Sequence, residues 1–136
     1  LYETWKIETE TLSRNHVMFG EVSAWFYKEL GGIHADETAP GFRSFVVAPH
    51  FVKKLDYFLA EYNSAQGTVR SSWKRVGNGR IMFRLTIPPN SRADVYVRNV
   101  RHVSDETTGD GIVLSGKNDC HSLPSGSYLF VIEEKE

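Results

Sequence analysis

The sequence predicts a mainly β fold, an antiparallel β-sandwich preceded by one long N-terminal helix. Three observations support this prediction. Apolar residues recur at helical spacing only in the stretch that ends at Gly31. After about Pro40 the chain consists of short segments rich in β-branched and aromatic residues, with Gly, Pro, Asn and Ser between them. Such a series of short strands and turns is typical of a β-sandwich.

The helix is the first element that the pattern predicts. Residues 1–12 follow neither a helical nor a strand period and are interpreted as a loop, after which Ser13 and Asn15 are good N-cap residues. The apolar face of the helix consists of Met18, Val22, Trp25, Phe26 and Leu30. Gly31 and Gly32 end the pattern. A stripe of this width has to be buried, and the neighbouring helices that normally bury it are absent from this sequence.

A polar connector, residues 33–41, leads into the first predicted strands. These strands span residues 42–49, 55–62 and 68–76. In the third of them Val69, Ser71 and Trp73 share one face. We expect the strands to pair in an antiparallel sheet, because short turns separate them.

The clearest strand pattern covers residues 80–87. Its apolar positions are Ile81, Phe83, Leu85 and Ile87, and the Gly77-Asn78-Gly79 sequence before it predicts a hairpin turn. Residues 88–91, Pro-Pro-Asn-Ser, are predicted to break the strand. Further strands are predicted at 92–97 and 128–132, with a short candidate strand at 111–114 inside the polar stretch 99–119.

Composition limits the partners. Sixteen basic and seventeen acidic residues give a net charge of −1, which argues against nucleic acid and anionic membranes and favours a neutral partner. The basic segment 69–75 is therefore interpreted as a solvated strand face. No apolar run is long enough to cross a membrane. The compartment stays open, because a chain that starts at Leu1 looks cut from something longer.

The sequence predicts neither a metal site nor a cofactor. Cys120 is the only cysteine, so an intrachain disulfide and a Cys-ligated zinc site are both excluded. The five histidines do not approach the HExxH spacing, and no Gly-rich loop precedes a helix to hold a phosphate.

The loop and the helix start carry the side chains with catalytic potential. They are Glu3, Trp5, Glu8, Glu10, Asn15 and His16. A carboxylate can act as general acid or base, but hydrolysis of a glycoside needs two that face each other across the substrate. Taken alone, each glutamate is more simply interpreted as a solvated loop residue, and His16 as a capping or packing histidine.

The residues from Ser13 to Ile33 resemble the last helix of the catalytic domain of bacterial α-L-rhamnosidases, glycoside hydrolase family 78. The resemblance continues through Asp36-Glu37-Thr38-Ala39-Pro40-Gly41-Phe42, Val47-Ala48-Pro49-His50, Gly67-Thr68-Val69 with Ser72-Trp73, and Thr86-Ile87-Pro88-Pro89-Asn90. It covers most of the chain in order, and the combination is specific although each piece alone is weak.

The resemblance implies an (α/α)6 barrel whose final helices precede a C-terminal β-sandwich. Members of the family hydrolyse terminal α-L-rhamnosides with inversion, using one glutamic acid as general acid and a second glutamate as general base. In the family the base lies in a segment resembling Thr-Leu-Trp-Glu, and Leu1-Tyr2-Glu3 falls at that place. The resemblance therefore implies Glu3 as general base, with Glu8 and Glu10 as competitors, and an acid far upstream.

The resemblance also implies that His16 touches the bound rhamnose, and we expect Trp5 and Asn15 to bind substrate beside it. We interpret residues 1–35 as the last segment of the catalytic barrel and residues 36–136 as the β-sandwich domain. The expected partners are a rhamnose-containing glycan and the rest of the barrel, and the fragment alone is expected to be inactive.

A carbohydrate-binding or purely structural module is the alternative. Exposure of Trp73 together with Tyr57 or Tyr62 would favour sugar binding, whereas burial would favour a structural role.

Overall fold

The computed structural model describes residues 20–98, the backbone of residues 100–105, and residues 120–134. An α-helical turn, α1 (Glu21–Trp25), continues directly into a π-helical turn, Phe26–Leu30. A 3₁₀ turn, Pro40–Phe42, precedes the second strand. The strands are β1 (Ile33–Ala35), β2 (Ser44–Val47), β3 (Tyr57–Ser64), β4 (Gly67–Gly77), β5 (Arg80–Tyr96), β6 (Val100–Asp105) and β7 (Cys120–Glu134).

The seven strands form one mixed sheet organised around β5. One side of β5 pairs first with β4 and then, further along, with β2, while β7 follows its other side. The pairing of β2 with β5 is parallel, and the other pairs of the described sheet are antiparallel. The predicted mainly β class with one helical segment near the N-terminus is confirmed. The described strands form one mixed sheet with one parallel pair, whereas the sequence predicts an antiparallel sandwich.

The core lies on one face of β4, β5 and β7. The predicted alternation of strand 80–87 is confirmed, because Ile81, Phe83, Leu85 and Ile87 are all buried. Across the sheet Trp73 pairs with Phe83, and Phe83 stacks on Phe130 with ring centroids 5.8 Å apart. Large apolar side chains that meet across strands in this way supply most of the hydrophobic stabilisation of a sheet.

The turn between β4 and β5 is also confirmed. Asn78 and Gly79 both have positive φ, 53° and 66°, which is the backbone geometry of the tight hairpin turn that an Asn-Gly pair favours.

The predicted break at residues 88–91 is wrong, because β5 runs through it. The register shifts between the Ile87–Gly126 pair and the Arg92–Pro124 pair, and Asn90 has a φ of +59°. This irregularity is a bulge, where ladder hydrogen bonds are already interrupted, so prolines without an N–H are tolerated.

Two strands lie in stretches that the sequence predicts to be polar connections. Residues 33–35 of the predicted connector form β1, which pairs with β2 and buries Ile33 in the core. Residues 100–105 form β6, which pairs with β7. Strand pairing uses backbone groups, so a polar sequence can join a sheet where one neighbour supplies the hydrogen bonds. The candidate strand 111–114 lies outside the described residues.

Candidate functional site

The site residues predicted from the sequence all precede the described part of the chain. Glu3, Trp5, Asn15 and His16 lie outside the described residues, and so do Glu8 and Glu10. Their roles therefore stay predictions. The structure instead describes how the helix that follows them joins the sheet.

The helical segment, residues 21–30, leaves most of its surface in solvent. Every residue from 21 to 28 is exposed, and Val22 and Trp25 each retain 53% of their accessible surface. Phe26 is also exposed and packs edge to face with Trp25, with ring centroids 5.5 Å apart. Of the described part of the predicted apolar face only Leu30 is buried. The face that the sequence predicts to need a partner thus finds none among the described residues.

The end of the helical segment, by contrast, is tightly joined to the sheet. The Leu30 carbonyl oxygen accepts a hydrogen bond from Trp73 Nε1 at 3.0 Å, and the Gly31 carbonyl oxygen accepts one from Ser71 Oγ at 2.6 Å. Both donors belong to β4 and are buried. The last carbonyl groups of a helix lack partners within the helix, so β4 provides a side-chain cap for them.

Backbone groups from the segment after β2 complete this cap. His50 N donates to the Glu29 carbonyl oxygen at 3.0 Å, and Ala48 N donates to the Gly32 carbonyl oxygen at 2.8 Å. His50 Nδ1 also lies 3.1 Å from Glu29 Oε2. Four successive carbonyls, from residue 29 to residue 32, thus accept hydrogen bonds from the β domain. We call this set of contacts the helix cap.

Close backbone approach explains the two glycines that end the helix pattern. A Cβ on Gly31 would lie 2.7 Å from the Cβ of Ala60. Gly32 has a φ of +71°, and a Cβ there would lie 2.2 Å from the backbone nitrogen of Pro49. At Gly31 the lack of space alone requires glycine, and at Gly32 both the positive φ and the lack of space require it, so the Gly-Gly pair is needed for the join as well as for ending the helix.

Arg75 fastens the loop before β3 to the C-terminal strand. Its Nε donates to the Leu55 carbonyl oxygen at 3.1 Å, and its Nη2 donates to the carbonyl oxygens of Phe51 and Val52 at 3.0 and 3.1 Å. The guanidinium also pairs with the Glu134 carboxylate through both terminal nitrogens. The side chain is only 19% exposed.

The basic segment 69–75 therefore has two different faces. Arg70 and Lys74 are exposed, as the predicted solvated face requires. The prediction is wrong for Arg75, which shares the strand parity of the buried Ser71 and Trp73. The sequence does contain a signal for this role of Arg75: a cation at an inward-facing strand position needs several hydrogen-bond partners. The helix cap had no comparable signal, because Ser71 and Gly31 are 40 positions apart.

Trp73, Tyr57 and Tyr62 are the aromatic residues whose exposure distinguishes a carbohydrate-binding module from a structural one, and they differ in exposure. Trp73 is 2% exposed and its indole N–H is used in the helix cap. Tyr57 is 66% exposed and lies on the opposite face of the sheet from the core, as its pairing with Lys74 shows. Tyr62 is 42% exposed; it points to the core side of the sheet, where its ring contacts Phe42 with centroids 4.6 Å apart.

Asp36 is the one described carboxyl group whose pKa is clearly displaced. The Thr38 hydroxyl donates to its Oδ1 at 2.6 Å and the Thr38 backbone N–H donates at 2.9 Å, and these hydrogen bonds lower the pKa of Asp36 below its ordinary value. The group is solvent-exposed and shapes the turn before the 3₁₀ helix.

Among the described residues no His, Cys, Asp and Glu side chains gather into a group that could hold a metal ion. Within the same residues, no helix has the length and apolar character needed to span a bilayer.

The sequence profile described as "Bacterial alpha-L-rhamnosidase C-terminal domain" matches residues 32–110 of the chain. The chain belongs to this family. An "Alpha-L-rhamnosidase" of Formosa agariphila is 26% identical over 116 residues, which are 85% of this chain and 11% of that protein. The matched profile begins at Gly32, within the helix cap.

Solved structures of rhamnosidases have the same fold. The α-L-rhamnosidase from Dictyoglumus thermophilum superposes with a TM-score of 0.78 and 31% identity over 98% of this chain and 16% of that chain. The Streptomyces avermitilis α-L-rhamnosidase, crystallised with L-rhamnose, superposes with a TM-score of 0.72 and 26% identity over 93% of this chain and 12% of that one. The chain thus spans between 11% and 16% of the length of these three rhamnosidases.

Proposed function

We propose that the chain is the C-terminal part of an inverting α-L-rhamnosidase that hydrolyses terminal α-L-rhamnosides. In this proposal the residues before β1 supply the last segment of the catalytic (α/α)6 barrel. The C-terminal β domain begins at Ile33 and not at the predicted residue 36, because β1 (Ile33–Ala35) belongs to the sheet. The helix enters the sheet through β1. The observation that carries the proposal is the helical segment itself, whose end is capped by a rhamnosidase C-terminal domain while its apolar face is exposed.

The exposed apolar face of the helix supports the proposal that a second, larger body of protein lies beside it. The face exposes aromatic and aliphatic side chains at helical spacing, namely Val22, Trp25 and Phe26. Such an apolar stripe is normally buried against other helices. The proposed partner is the rest of the barrel in the parent enzyme. This arrangement makes the β domain a fixed support for the last barrel helix, because the helix cap holds four carbonyls in place.

In the proposed mechanism Glu3 is the general base. Its carboxylate would deprotonate a water on the face of the rhamnose opposite the leaving group, about 6.5–9.5 Å from the general acid. His16, Trp5 and Asn15 would bind the sugar. The acid and most of the pocket would come from the remainder of the parent, so the 136-residue chain alone is proposed to be inactive.

The test is substitution of Glu3 in the intact parent enzyme. Glu3→Gln is expected to lower kcat on an aryl α-L-rhamnoside by about 10²–10⁴-fold, the usual contribution of a general base. Glu8→Gln and Glu10→Gln are matched controls and are expected to keep nearly full kcat. Proton NMR of the first product should show β-L-rhamnose, the inverted anomer.

Three results would contradict the proposal. Activity retained in Glu3→Gln would remove the assignment of the base, and an α-anomeric first product would remove inversion. Hydrolysis by the 136-residue chain alone, abolished by Glu3→Gln, would show that the fragment contains a complete site.

A carbohydrate-binding module built on Trp73 is not supported. Its indole is buried and hydrogen-bonded to the helix end, so it has no ring face to offer a sugar. A structural role for this strand fits better, because its buried side chains form the helix cap.

A further inference from the structure

We call the face of the sheet opposite the core the outer face. It forms a broad, shallow groove across β3, β4, β5 and β7. The groove has a volume of about 1090 Å³. Residues that face each other across the strands define its rows: Tyr57 pairs with Lys74, Ser72 with Arg84, and Glu61 with Arg70. Side chains of alternate residues point to the same face of a strand, so these six side chains share the outer face.

The charges on the outer face are unbalanced. Three cations, Arg70, Lys74 and Arg84, accompany one carboxylate, Glu61, among the groove-lining residues. Arg70 pairs with Glu61. Within the described part of the chain neither Lys74 nor Arg84 forms an ion pair. Because the whole chain has a net charge of −1, these two uncompensated cations are a local feature and not a consequence of composition.

An exposed aromatic ring lies at one end of the same face. Tyr57 is directly opposite Lys74 in the strand register, and Leu59, the next residue of this face on β3, is also exposed. An exposed tyrosine ring presents a flat apolar surface together with a hydroxyl group. The apolar face of a pyranose ring can pack on such a surface while its hydroxyls stay in water.

The cations are placed so that one ligand can reach both. Lys74 and Arg84 occupy diagonal positions on neighbouring strands, which puts their backbones about 7–8 Å apart. Arg84 can bind a carboxylate through two parallel N–H groups, and Lys74 can bind a second one as a point charge. Tyr57, beside Lys74, is placed where its ring can pack on the sugar ring.

We propose that the outer face binds an acidic oligosaccharide, a glycan whose sugars carry carboxylate groups. A protein partner fits the face less well, because Ser72 and Lys74 lie at its centre and the centres of protein interfaces are depleted of lysine and serine. The proposal does not depend on the role of Glu3.

The test is isothermal titration calorimetry of the 136-residue chain with a tetragalacturonate and with maltotetraose, a neutral oligosaccharide of the same length. The chain is expected to bind the tetragalacturonate, to lose affinity as NaCl is raised, and to bind maltotetraose at least about tenfold more weakly. Arg84→Gln is expected to weaken tetragalacturonate binding by about tenfold. Tyr57→Ser should weaken it as well.

Arg43→Gln is the matched control. Arg43 is an exposed arginine that precedes β2, outside the groove, and its substitution should leave the affinity unchanged. Thermal unfolding of each variant shows that the fold is retained. The proposal is overturned if the chain does not bind tetragalacturonate at millimolar concentration, if maltotetraose binds equally well, or if Arg43→Gln weakens binding as much as Arg84→Gln. It is also overturned if Arg84→Gln leaves glycan binding intact and instead weakens association with the rest of the parent enzyme.

Discussion

Replacing Ser71 with alanine removes one donor of the helix cap and almost nothing else. Ser71 Oγ lies 2.6 Å from the Gly31 carbonyl oxygen, and both residues are buried. The alanine Cβ occupies the position of the serine Cβ, so only one oxygen atom is lost and no large cavity forms. The Gly31 carbonyl is then left without this donor in a site that Ser71, at zero accessibility, closes to water.

The expected loss of stability follows from that unsatisfied carbonyl. Leaving a buried acceptor unpaired costs about 1–3 kcal/mol, and we take about 2 kcal/mol as the central value. Unfolding entropies of about 2.1 cal/mol/K per residue give about 0.29 kcal/mol/K for 136 residues. The same loss therefore lowers the thermal midpoint by about 7 °C.

Urea unfolding followed by tryptophan fluorescence measures this loss, and Ser72→Ala is the matched control. Ser72 is the next residue on the same strand and points to the outer face, so its substitution should change the free energy of unfolding by less than about 0.5 kcal/mol. Trp73→Phe, which removes the neighbouring donor to Leu30, should be coupled to Ser71→Ala by more than about 0.5 kcal/mol. If Ser71→Ala costs no more than Ser72→Ala, the helix cap does not stabilise the chain in the way described.

Three further predictions concern other contacts of the fold. Arg75→Lys should lower the free energy of unfolding by about 2–3 kcal/mol, because lysine cannot reproduce the planar set of hydrogen bonds to the loop and to Glu134. An unchanged urea midpoint would show that these hydrogen bonds do not stabilise the fold. Gly32→Ala should cost about 3 kcal/mol or more, because it combines a positive φ with a backbone clash. Gly79→Ala, with a similar φ but open space around it, should cost about 1 kcal/mol by thermal unfolding, and equal losses would refute the steric argument. Asp36 has a lowered pKa in the folded state, so its contribution is present above the unfolded pKa and is lost as pH falls through the lower, folded value. Asp36→Asn should therefore remove part of the acid dependence of the urea midpoint below about pH 4, and an identical pH profile would show that these hydrogen bonds do not stabilise the fold.

The periodic parts of this fold could be predicted from the sequence, and the reason is local. Apolar and polar residues alternate in strand 80–87 because one face of the strand is buried. The turn before it needs two positive φ values, which an Asn-Gly pair adopts readily. Both features therefore depend on residues that are neighbours in the sequence. The apolar helix face is a local pattern as well, and Val22 and Trp25 on this face are exposed. That its partners lie in the rest of a barrel stays a prediction.

The remaining features depend on contacts between distant residues. β6 and β1 are strands because β7 and β2 offer them backbone partners, and the parallel placement of β2 beside residues 92–95 of β5 follows from the whole sheet. No local pattern contains such information, because backbone pairing does not require particular side chains. The continuity of β5 through Pro88 and Pro89 is a similar case, since the bulge that tolerates them requires β7 on the other side.

The helix cap and the exposed helix face together show which side of the helical segment the sheet holds and which side it leaves exposed. In the described part of the chain the sheet holds the helical segment by its last turn, so the helix is fixed in direction at this end while its apolar side remains available to neighbours. If the domain merely filled space, its contacts with the helix would be expected along the apolar face. Instead the buried donors Ser71 and Trp73 hold the terminal carbonyls, and Val22 and Trp25 stay in solvent. This division of contacts fits the proposed function, in which the β domain supports the last helix of a separate barrel and the barrel covers the apolar face.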